Sequence, residues 1–368
     1  MKLLLLIIRW IVGLLFIFSG LIKVNDPMGL SYKMQEFFEV LNLHFLNDYA
    51  LFFSLGMNVF EVLAGVAVII GWRMKLFSWL LLLLIIFFTF LTGFALFSGK
   101  IKTCGCFGDC IPLTAAQSFT KDIVLFFLIL ILVFAQSKIK STFNPAASFF
   151  LLLVTVALCS FLQWYVLQHL PFVDCLPYKK GNNIIQQMKM PEGATYDSVS
   201  IEFVYQKNGQ QFEFDQEHFP ADFDSSYLFI DRKDRIVKKG NGLKPSIIDF
   251  SLQTTNQTDT TQAIFQLPSK YILLMVLDGN EIERWKKSLM KLSVMLKEKT
   301  IPVFIVSAEA SKIKVQLPEF NVLSCDATVL KTAARVKPTY FLMQGATILE
   351  KCSYLDVEQL FNSKKSSN

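Results

Sequence analysis

Five long apolar stretches constrain this chain more than any other feature of its sequence. They cover residues 3–21, 51–72, 76–97, 119–135 and 148–167. A helix needs about 20 mostly apolar residues to cross a bilayer, so each stretch predicts one membrane-spanning helix. Hydrophobic residues make up 53% of the chain and charged residues 18%, whereas a soluble protein carries about 25% charged residues. Since the apolar excess lies in residues 1–170, we predict an all-α membrane bundle followed by soluble sequence.

The basic residues between the stretches predict the orientation of the helices. They share one side of the membrane if the N-terminus lies inside the cell: Lys2, Arg9, Arg73, Lys75, Lys138 and Lys140. Because cytoplasmic loops carry the excess of Lys and Arg, we expect a cytoplasmic N-terminus in a bacterial inner (cytoplasmic) membrane. The segment between the third and fourth stretches, and all residues after 167, then lie in the periplasm, where disulfides persist.

Three of the seven cysteines lie close together in that segment. Residues 103–110 read Thr-Cys-Gly-Cys-Phe-Gly-Asp-Cys and contain Cys104, Cys106 and Cys110. A disulfide between Cys104 and Cys106 would close a very small ring. Such a strained bond has a higher reduction potential, which suits electron exchange better than bracing. The two glycines supply the backbone freedom that the loop needs.

Three kinds of site fit this cysteine cluster: a redox pair, a metal site and an inert local disulfide. Lys100 and Lys102 lie nearby and favour a thiolate, which supports redox chemistry. A structural zinc site takes four ligands, whereas the loop offers three cysteines, no histidine and Asp109 as a weak fourth candidate. We therefore predict that Cys104 and Cys106 are catalytic and that no metal is bound; the inert disulfide stays the main alternative.

A fourth cysteine belongs to the same side of the membrane. Cys175 follows the fifth stretch, and four cysteines allow three pairings. A bond between Cys110 and Cys175 would tie the loop to the fifth helix and leave the Cys-x-Cys pair free. We therefore predict Cys110 and Cys175 as relay thiols or as a structural disulfide.

Three charged residues lie within the apolar stretches. Glu61 is in the second stretch, and Lys121 and Asp122 are in the first turn of the fourth. An intramembrane charge is costly and usually faces a cavity or a partner. Glu61 therefore fits either a proton relay or quinone contact, or a structural hydrogen bond to Lys121 or to the region of Lys23.

Residues 171–245 read as a linker and a β-rich segment. The predicted strands are 199–205, 211–214, 227–230 and 235–239. The first two flank Asn208-Gly209, a favoured hairpin dipeptide. The last two are predicted to form a second hairpin around 231–234.

Residues 246–368 predict an α/β domain. Its predicted elements are strand 271–277, helix 281–299, strand 302–307, helix 326–335, strand 337–343 and strand 346–351. This β-α-β-α-β-β order resembles the thioredoxin fold, and 248–252 resembles the opening strand of its TlpA-like and peroxiredoxin-like members. The resemblance implies that Pro338 occupies the cis-proline position and docks a substrate protein.

The domain departs from that fold at one place. A thioredoxin carries Cys-x-x-Cys just after its first central strand, whereas residues 277–285 contain no cysteine. Ordinary thiol exchange is therefore excluded in this domain. Cys325 and Cys352 read as packing thiols, so we expect the domain to bind a protein rather than to react with it.

Three ordered motifs in residues 1–140 carry a further resemblance. They read Phe-Ser-Gly-Leu-Ile-Lys-Val-Asn-Asp-Pro-Met-Gly at 18–29, Phe-Glu-Val-Leu-Ala-Gly at 60–65 and Cys-Gly-Cys-Phe-Gly-Asp at 104–109. The set resembles the DoxX family, the third motif resembles its MauE branch, and residues 177–184 resemble the segment after the last helix in the Bacteroidetes versions. The resemblance implies a four-helix core with a fifth helix added, related to thiol–disulfide and quinone-linked redox proteins. MauE-type members are implicated in disulfide maturation of periplasmic enzymes, and DoxD-type relatives act with quinones, so a quinone is a candidate cofactor and none is assigned.

Two functions fit these observations. The first is a thiol–disulfide oxidoreductase that passes electrons between periplasmic protein thiols and a membrane quinone through Cys104 and Cys106. The second is a non-enzymatic accessory subunit of a cell-envelope complex with structural cysteines. Transport has little support, because no internal repeat accompanies the five helices. The net charge of +6 is scattered, so the expected partners are the lipid bilayer and envelope proteins, not nucleic acid.

Overall fold

Helices form the first part of the chain. The structure, a computed structural model, describes residues 2–101, 105, 107–195, 198–215, 218–220, 223–238, 240, 243–298, 300–358 and 360. Its first six helices are α1 (Lys2–Asn25), α2 (Pro27–Val40), α3 (Ala50–Ile70), α4 (Met74–Ser98), α5 (Ala115–Ala135) and α6 (Pro145–Gln168). All except α2 belong to segments long and apolar enough to span a membrane. The predicted helical membrane part is therefore confirmed.

Helices α1 and α3 approach each other closely because both carry glycine at the crossing. A Cβ atom on Gly13 would lie 2.9 Å from the carbonyl oxygen of Gly65, and one on Gly65 would lie 2.7 Å from that of Gly13. Small residues at such crossings let membrane helices pack backbone to backbone. This crossing brings the backbones of α1 and α3 together.

Helix α2 was not among the predicted elements. Its N-cap is Asp26, whose Oδ1 accepts a hydrogen bond from the Gly29 amide at 3.0 Å, and Pro27 occupies the first turn. Both are strong helix-start signals. The helix is only moderately apolar and buries a few residues, including Met28 and Phe37, so no long hydrophobic stretch marks it.

Helix α5 starts four residues before the apolar stretch that predicts it. Thr114 caps it, with Gln117 completing a capping box. Because these polar residues satisfy the first free amides of the helix, the helix begins before its sequence turns apolar. Lys121 and Asp122 therefore lie in its second turn, not in the first turn as predicted.

Short helices and strands form the rest of the chain. They are α7 (Ile184–Met188), β1 (Ser198–Lys207), β2 (Gln210–Asp215), β3 (Leu228–Lys238), α8 (Thr261–Phe265), β4 (Tyr271–Val276), α9 (Ile282–Glu298), β5 (Val303–Ser307), α10 (Ala310–Gln316), β6 (Asn321–Ser324), α11 (Ala327–Ala333), β7 (Thr339–Gln344) and β8 (Thr347–Ser353). Two compact units result: Asn183–Phe250 is one, and the helices α1–α6 with the elements from α8 onward form the other.

Strands β4–β8 form a mixed sheet in the order β6-β5-β4-β7-β8. Strands β4, β5 and β6 run parallel, β7 is antiparallel to β4, and β8 is antiparallel to β7. The buried core of this sheet includes Trp285 and Leu289 of α9 and Tyr340 of β7. The predicted α/β domain is thus confirmed, with its predicted strands and helices in the predicted order.

Two details of this domain differ from the prediction. The predicted strand 248–252 is absent from the described strands, because Asp249 has a left-handed backbone with φ of 57°. Helices α8 and α10 and strand β6 were not predicted. Strand β6 has only four residues, which is too short to show a hydrophobic period.

The second unit, Asn183–Phe250, contains a three-stranded antiparallel sheet in the order β2-β1-β3. The turn between β1 and β2 has positive φ at both Asn208 and Gly209, as a type I′ hairpin requires. The predicted second hairpin is wrong, because Leu228–Lys238 is one continuous strand along β1. Opposite charges stabilise the middle of this strand, where a turn was predicted. Lys233 of β3 lies opposite Glu202 of β1 and forms an ion pair with Glu213 of β2.

Candidate functional site

The cysteine loop connects α4 to α5. Helix α4 ends at Ser98 and is capped by Gly99, whose φ is 64°. Helix α5 begins at Ala115, after the capping box of Thr114. The predicted catalytic pair, Cys104 and Cys106, lies outside the described residues, so its assignment stays a prediction. The described part of the loop includes Gly105 and the turn at 107–110.

Two glycines shape the described part of the loop. Gly105 and Gly108 have φ of 71° and 56°, and the Gly108 amide donates a hydrogen bond to the Gly105 carbonyl at 3.0 Å. A Cβ on Gly105 would lie 3.1 Å from the Cγ of Lys33 on α2. Left-handed backbone and limited space together favour glycine at position 105.

Phe107 packs the loop against α1 and α5. Its ring centroid lies 5.8 Å from that of Phe18 on α1. The ammonium of Lys121 on α5 lies 5.2 Å from the same ring centroid, within range of a cation–π interaction. The loop therefore packs on α1 and α5.

Cys110 and Cys175 are joined by a disulfide whose Cα atoms lie 4.8 Å apart. Cys175 follows α6, so the bond ties the loop to the segment that leaves the membrane part. The remaining cysteines among the described residues, Cys159, Cys325 and Cys352, are buried free thiols.

An aspartate precedes each half of this disulfide, and each pairs with a buried cation of the α/β domain. Asp109 lies 2.5 Å from Nη2 of Arg335, and Asp174 lies 2.8 Å from Nζ of Lys351. The side chains of Arg335 and Lys351 are only 5% and 2% exposed. The α/β domain therefore contacts the chain on both sides of the disulfide through charge-assisted hydrogen bonds, which are the stronger kind.

Arg335 also contacts the membrane part directly. Its Nε donates to Oδ2 of Asp26, the N-cap of α2, at 2.8 Å. Burial lowers the pKa of Arg335, but Asp26 and Asp109 outweigh that effect, so its pKa lies above the ordinary value. Nearby Tyr32 has its pKa raised to about 12, mainly by burial. Burial also lowers the pKa of Lys351, and Asp174 opposes that effect.

Glu61 lies in a buried network between α1 and α3. Its Oε1 is 2.5 Å from Nζ of Lys23, and its Oε2 accepts a hydrogen bond from the Ser19 hydroxyl at 3.0 Å. The amide of Asn58 donates to the Lys23 carbonyl and to the Gln163 side chain, both at 3.0 Å. Glu61 is thus an ion-pair partner of Lys23 rather than of Lys121.

Lys121 and Asp122 pair with each other at 2.6 Å, and Asp122 also accepts a hydrogen bond from Thr92 at 3.0 Å. A crevice between α1, α4 and α5 is lined by Lys23, Lys121 and Phe107. Its volume is about 20 Å³, enough for one water molecule. A crevice of this volume does not admit a quinone ring.

The α/β domain places no thiol at the end of β4. The chain there runs from Leu277 to Glu281 without cysteine, and the Gly279 amide donates to Glu309 at 3.1 Å. Pro338, the predicted docking residue, is buried, and its peptide bond with Lys337 is cis.

Burial raises the pKa of the Cys325 thiol to about 12 and also raises the pKa of the Cys352 thiol. Both thiols therefore stay protonated at neutral pH.

Sequence reasoning missed the cations that hold the α/β domain, Arg335 and Lys351. It also missed Asp26 and Asp174 as their partners. One signal was present: the dipeptide Asp-Cys occurs both at 109–110 and at 174–175. The aspartate beside each half of the disulfide marks the two places where the α/β domain forms its ion pairs with this part of the chain.

Comparison with known proteins bears on two parts of the chain. Residues 1–135 match the family model described as methylamine utilisation protein MauE, and residues 199–239 match a domain of unknown function. Protein TlpB of Flavobacterium psychrophilum is 27% identical over 184 residues, which cover 48% of this chain and 45% of that protein. The chain thus spans less than half the length of this curated relative, and no solved structure matches. The helical membrane part, up to the end of α5, is therefore similar to MauE.

Proposed function

We propose that this protein is a membrane thiol–disulfide redox protein in which Cys104 and Cys106 exchange electrons with thiols of other proteins. The observation that carries the proposal is the Cys110–Cys175 disulfide. Because these two cysteines are bonded to each other, Cys104 and Cys106 are the pair left for exchange in the loop. The similarity of residues 1–135 to MauE supports a redox-associated membrane part.

The proposed exchange conserves electrons and protons. In the oxidising direction, a client thiolate attacks the Cys104–Cys106 disulfide and forms a mixed disulfide. The second client thiolate then attacks that bond and releases the oxidised client. The two electrons and two protons lost by the client remain as the two thiols of Cys104 and Cys106. The same chemistry, run against a disulfide of a partner protein, restores the pair.

We infer that the C-terminal domain is thioredoxin-like and docks clients or partners without reacting with them. The sheet order and the absence of cysteine in residues 277–285 support this. The buried ion pairs of Arg335 and Lys351 support a domain that sits beside the cysteine loop. We also propose the division 1–170, 171–245 and 246–368, a bacterial inner-membrane location, and a periplasmic loop and C-terminal part.

A second function has its own support: an accessory subunit of an envelope complex with structural cysteines. The Cys110–Cys175 bond and the ion pairs beside it favour it, since they are what a fixed docking surface needs. Under this second function, Glu61, Lys121 and Asp122 stabilise the bundle.

Replacement of Cys104 and Cys106 by serine, singly and together, separates the two functions. Under the redox proposal, each single variant of the full chain traps mixed disulfides that appear on non-reducing gels, and the double variant leaves client thiols reduced. Cys159→Ser, at a buried thiol of α6, is the matched control. Normal client oxidation by the double variant, with no trapped species from either single variant, would overturn the redox proposal. A stoichiometric partner that still co-purifies would then favour the accessory function.

A further inference from the structure

A cavity lies between the membrane helices and the α/β domain, within the same compact unit. Its volume is about 280 Å³. Trp164 and Leu167 of α6 line its membrane side, and Glu281, Arg284, Lys337 and Tyr354 line its α/β side. The cavity is therefore lined by apolar side chains on its membrane side and mainly by charged side chains on its α/β side.

A groove of about 480 Å³ runs from that cavity between α3 and α6. The two spaces share Trp164 and Leu167 in their linings, so they adjoin each other at α6. Along α3, the lining extends from Leu51 to Leu63. At 1.5 Å per residue this is about 18 Å, close to half of a hydrocarbon core about 30 Å thick. The cavity and the groove together thus extend about one leaflet deep.

The charges at the head of the site favour a phosphate. Arg335, on the cavity wall, is already engaged by Asp26 and Asp109. Arg284 forms a 3.3 Å ion pair with Glu281, and its side chain is 52% exposed. Arg284 also lies over the Tyr354 ring, 5.6 Å from its centroid. Lys337 lines the cavity and has no ion pair among the described residues, so it is the main cation that can face an anionic group, with Arg284 beside it. Lys and Arg beside a membrane surface attract lipid phosphate.

We propose that this site binds one phospholipid from the leaflet next to the α/β domain. Its phosphate contacts Lys337 and Arg284, and one acyl chain fills the groove between α3 and α6. Trp164 lies where these two parts of the lipid meet, as aromatic residues at membrane interfaces do. The proposal does not rest on the redox chemistry of the cysteine loop.

Gly56 offers a direct way to block the groove. It lines the groove on α3, and a Cβ placed there meets no atom within 4 Å. The variant Gly56→Phe would therefore add bulk to this wall of the groove, starting from a Cβ atom that meets no neighbour. Lys337→Gln removes the free charge at the other end, and Lys291→Gln, on the exposed face of α9, is the matched charge control.

The test is native mass spectrometry of the full chain in detergent micelles titrated with palmitoyl-oleoyl-phosphatidylglycerol. We expect one lipid to be retained by the native chain and by Lys291→Gln. We expect loss of the charge-assisted contact to weaken retention by Lys337→Gln about tenfold or more, and Gly56→Phe to abolish retention. Thermal unfolding in the same detergent checks that each variant is folded.

Three results would overturn the proposal. The first is an undifferentiated ladder of bound lipids that no variant changes. The second is displacement of the lipid by decylubiquinone together with no effect of Lys337→Gln, which would assign the groove to a neutral ring ligand. The third is an equal loss of lipid from Lys291→Gln and Lys337→Gln. That result would show that lipid retention depends on the net charge of the protein and not on the position of Lys337.

Discussion

Arg335 is the residue at which three segments distant in the sequence meet. It follows α11 in the α/β domain and contacts Asp26 before α2 and Asp109 in the cysteine loop. A buried cation with no partner would be costly, so each contact also keeps the others in place. At the scale of single residues, the attachment of the α/β domain thus depends strongly on one side chain.

We expect Arg335→Gln to loosen the α/β domain from the membrane part. The change removes charged hydrogen bonds worth about 1.5–3 kcal/mol and leaves Asp26, only 17% exposed, without its cation. Hydrogen exchange should rise in residues 107–110 and 327–337. Lys291→Gln should leave exchange unchanged, and equal protection in both variants would contradict the prediction.

The buried thiol of Cys325 predicts a loss of stability at alkaline pH. Burial raises its pKa from 9.0 to about 12, so between these values the unfolded chain loses a proton that the folded chain keeps. Its contribution is therefore fully present below pH 9 and is lost as pH rises towards 12. Cys325→Ala should make the fall in thermal stability between those pH values shallower. An identical slope for the native chain and the variant would count against the pKa shift.

At the scale of elements, the crossing of α1 and α3 organises the membrane part. The glycines bring the helix backbones together, and the Lys23–Glu61 ion pair lies further along the same interface. Glu61 and Gly65 both belong to the motif at 60–65, and Lys23 belongs to the motif at 18–29. They fix how the two helices meet, and the loop that rests on Phe18 of α1 takes its position from that arrangement.

Gly65→Ala should destabilise the bundle more than Gly56→Ala. The new Cβ at position 65 would lie 2.7 Å from a backbone oxygen of α1, whereas at position 56 it meets nothing within 4 Å. Overpacking of this kind costs about 1–3 kcal/mol. Thermal unfolding in detergent measures the difference, and equal melting temperatures for the two variants would refute the close crossing.

A double-mutant cycle separates a structural from a functional Lys23–Glu61 pair. Removing one partner of a buried ion pair costs about 3–5 kcal/mol, because the other charge stays buried. We therefore expect Lys23→Met and Glu61→Met each to destabilise the protein, and the double variant to regain much of the loss. If the restored double variant still oxidises client thiols normally, the pair is structural. Restored stability without oxidation would instead assign the pair to the reaction.

At the scale of the whole molecule, long apolar stretches and buried strands were predictable, because burial leaves a periodic or continuous pattern in the sequence. The five membrane helices and strands such as β4 belong to this class. Helix α2 depends on a cap and β6 on its neighbours, so neither shows such a pattern. The contacts of Arg335 join residues 226 and 309 positions apart, and no local signal encodes a pairing at that distance.

The Cys110–Cys175 disulfide also constrains how the molecule is made. Its halves are 65 residues apart, so at 5–20 residues per second Cys175 is synthesised about 3 to 13 s after Cys110. During that interval Cys110 has Cys104 and Cys106 as its nearest thiols in the sequence. Its native partner arrives only after two more membrane helices are made. Oxidation of the loop during that interval would pair Cys110 with one of those nearby cysteines, and the native bond would then form only after that pairing is undone. The order of synthesis thus bears on which cysteine pairs with Cys110.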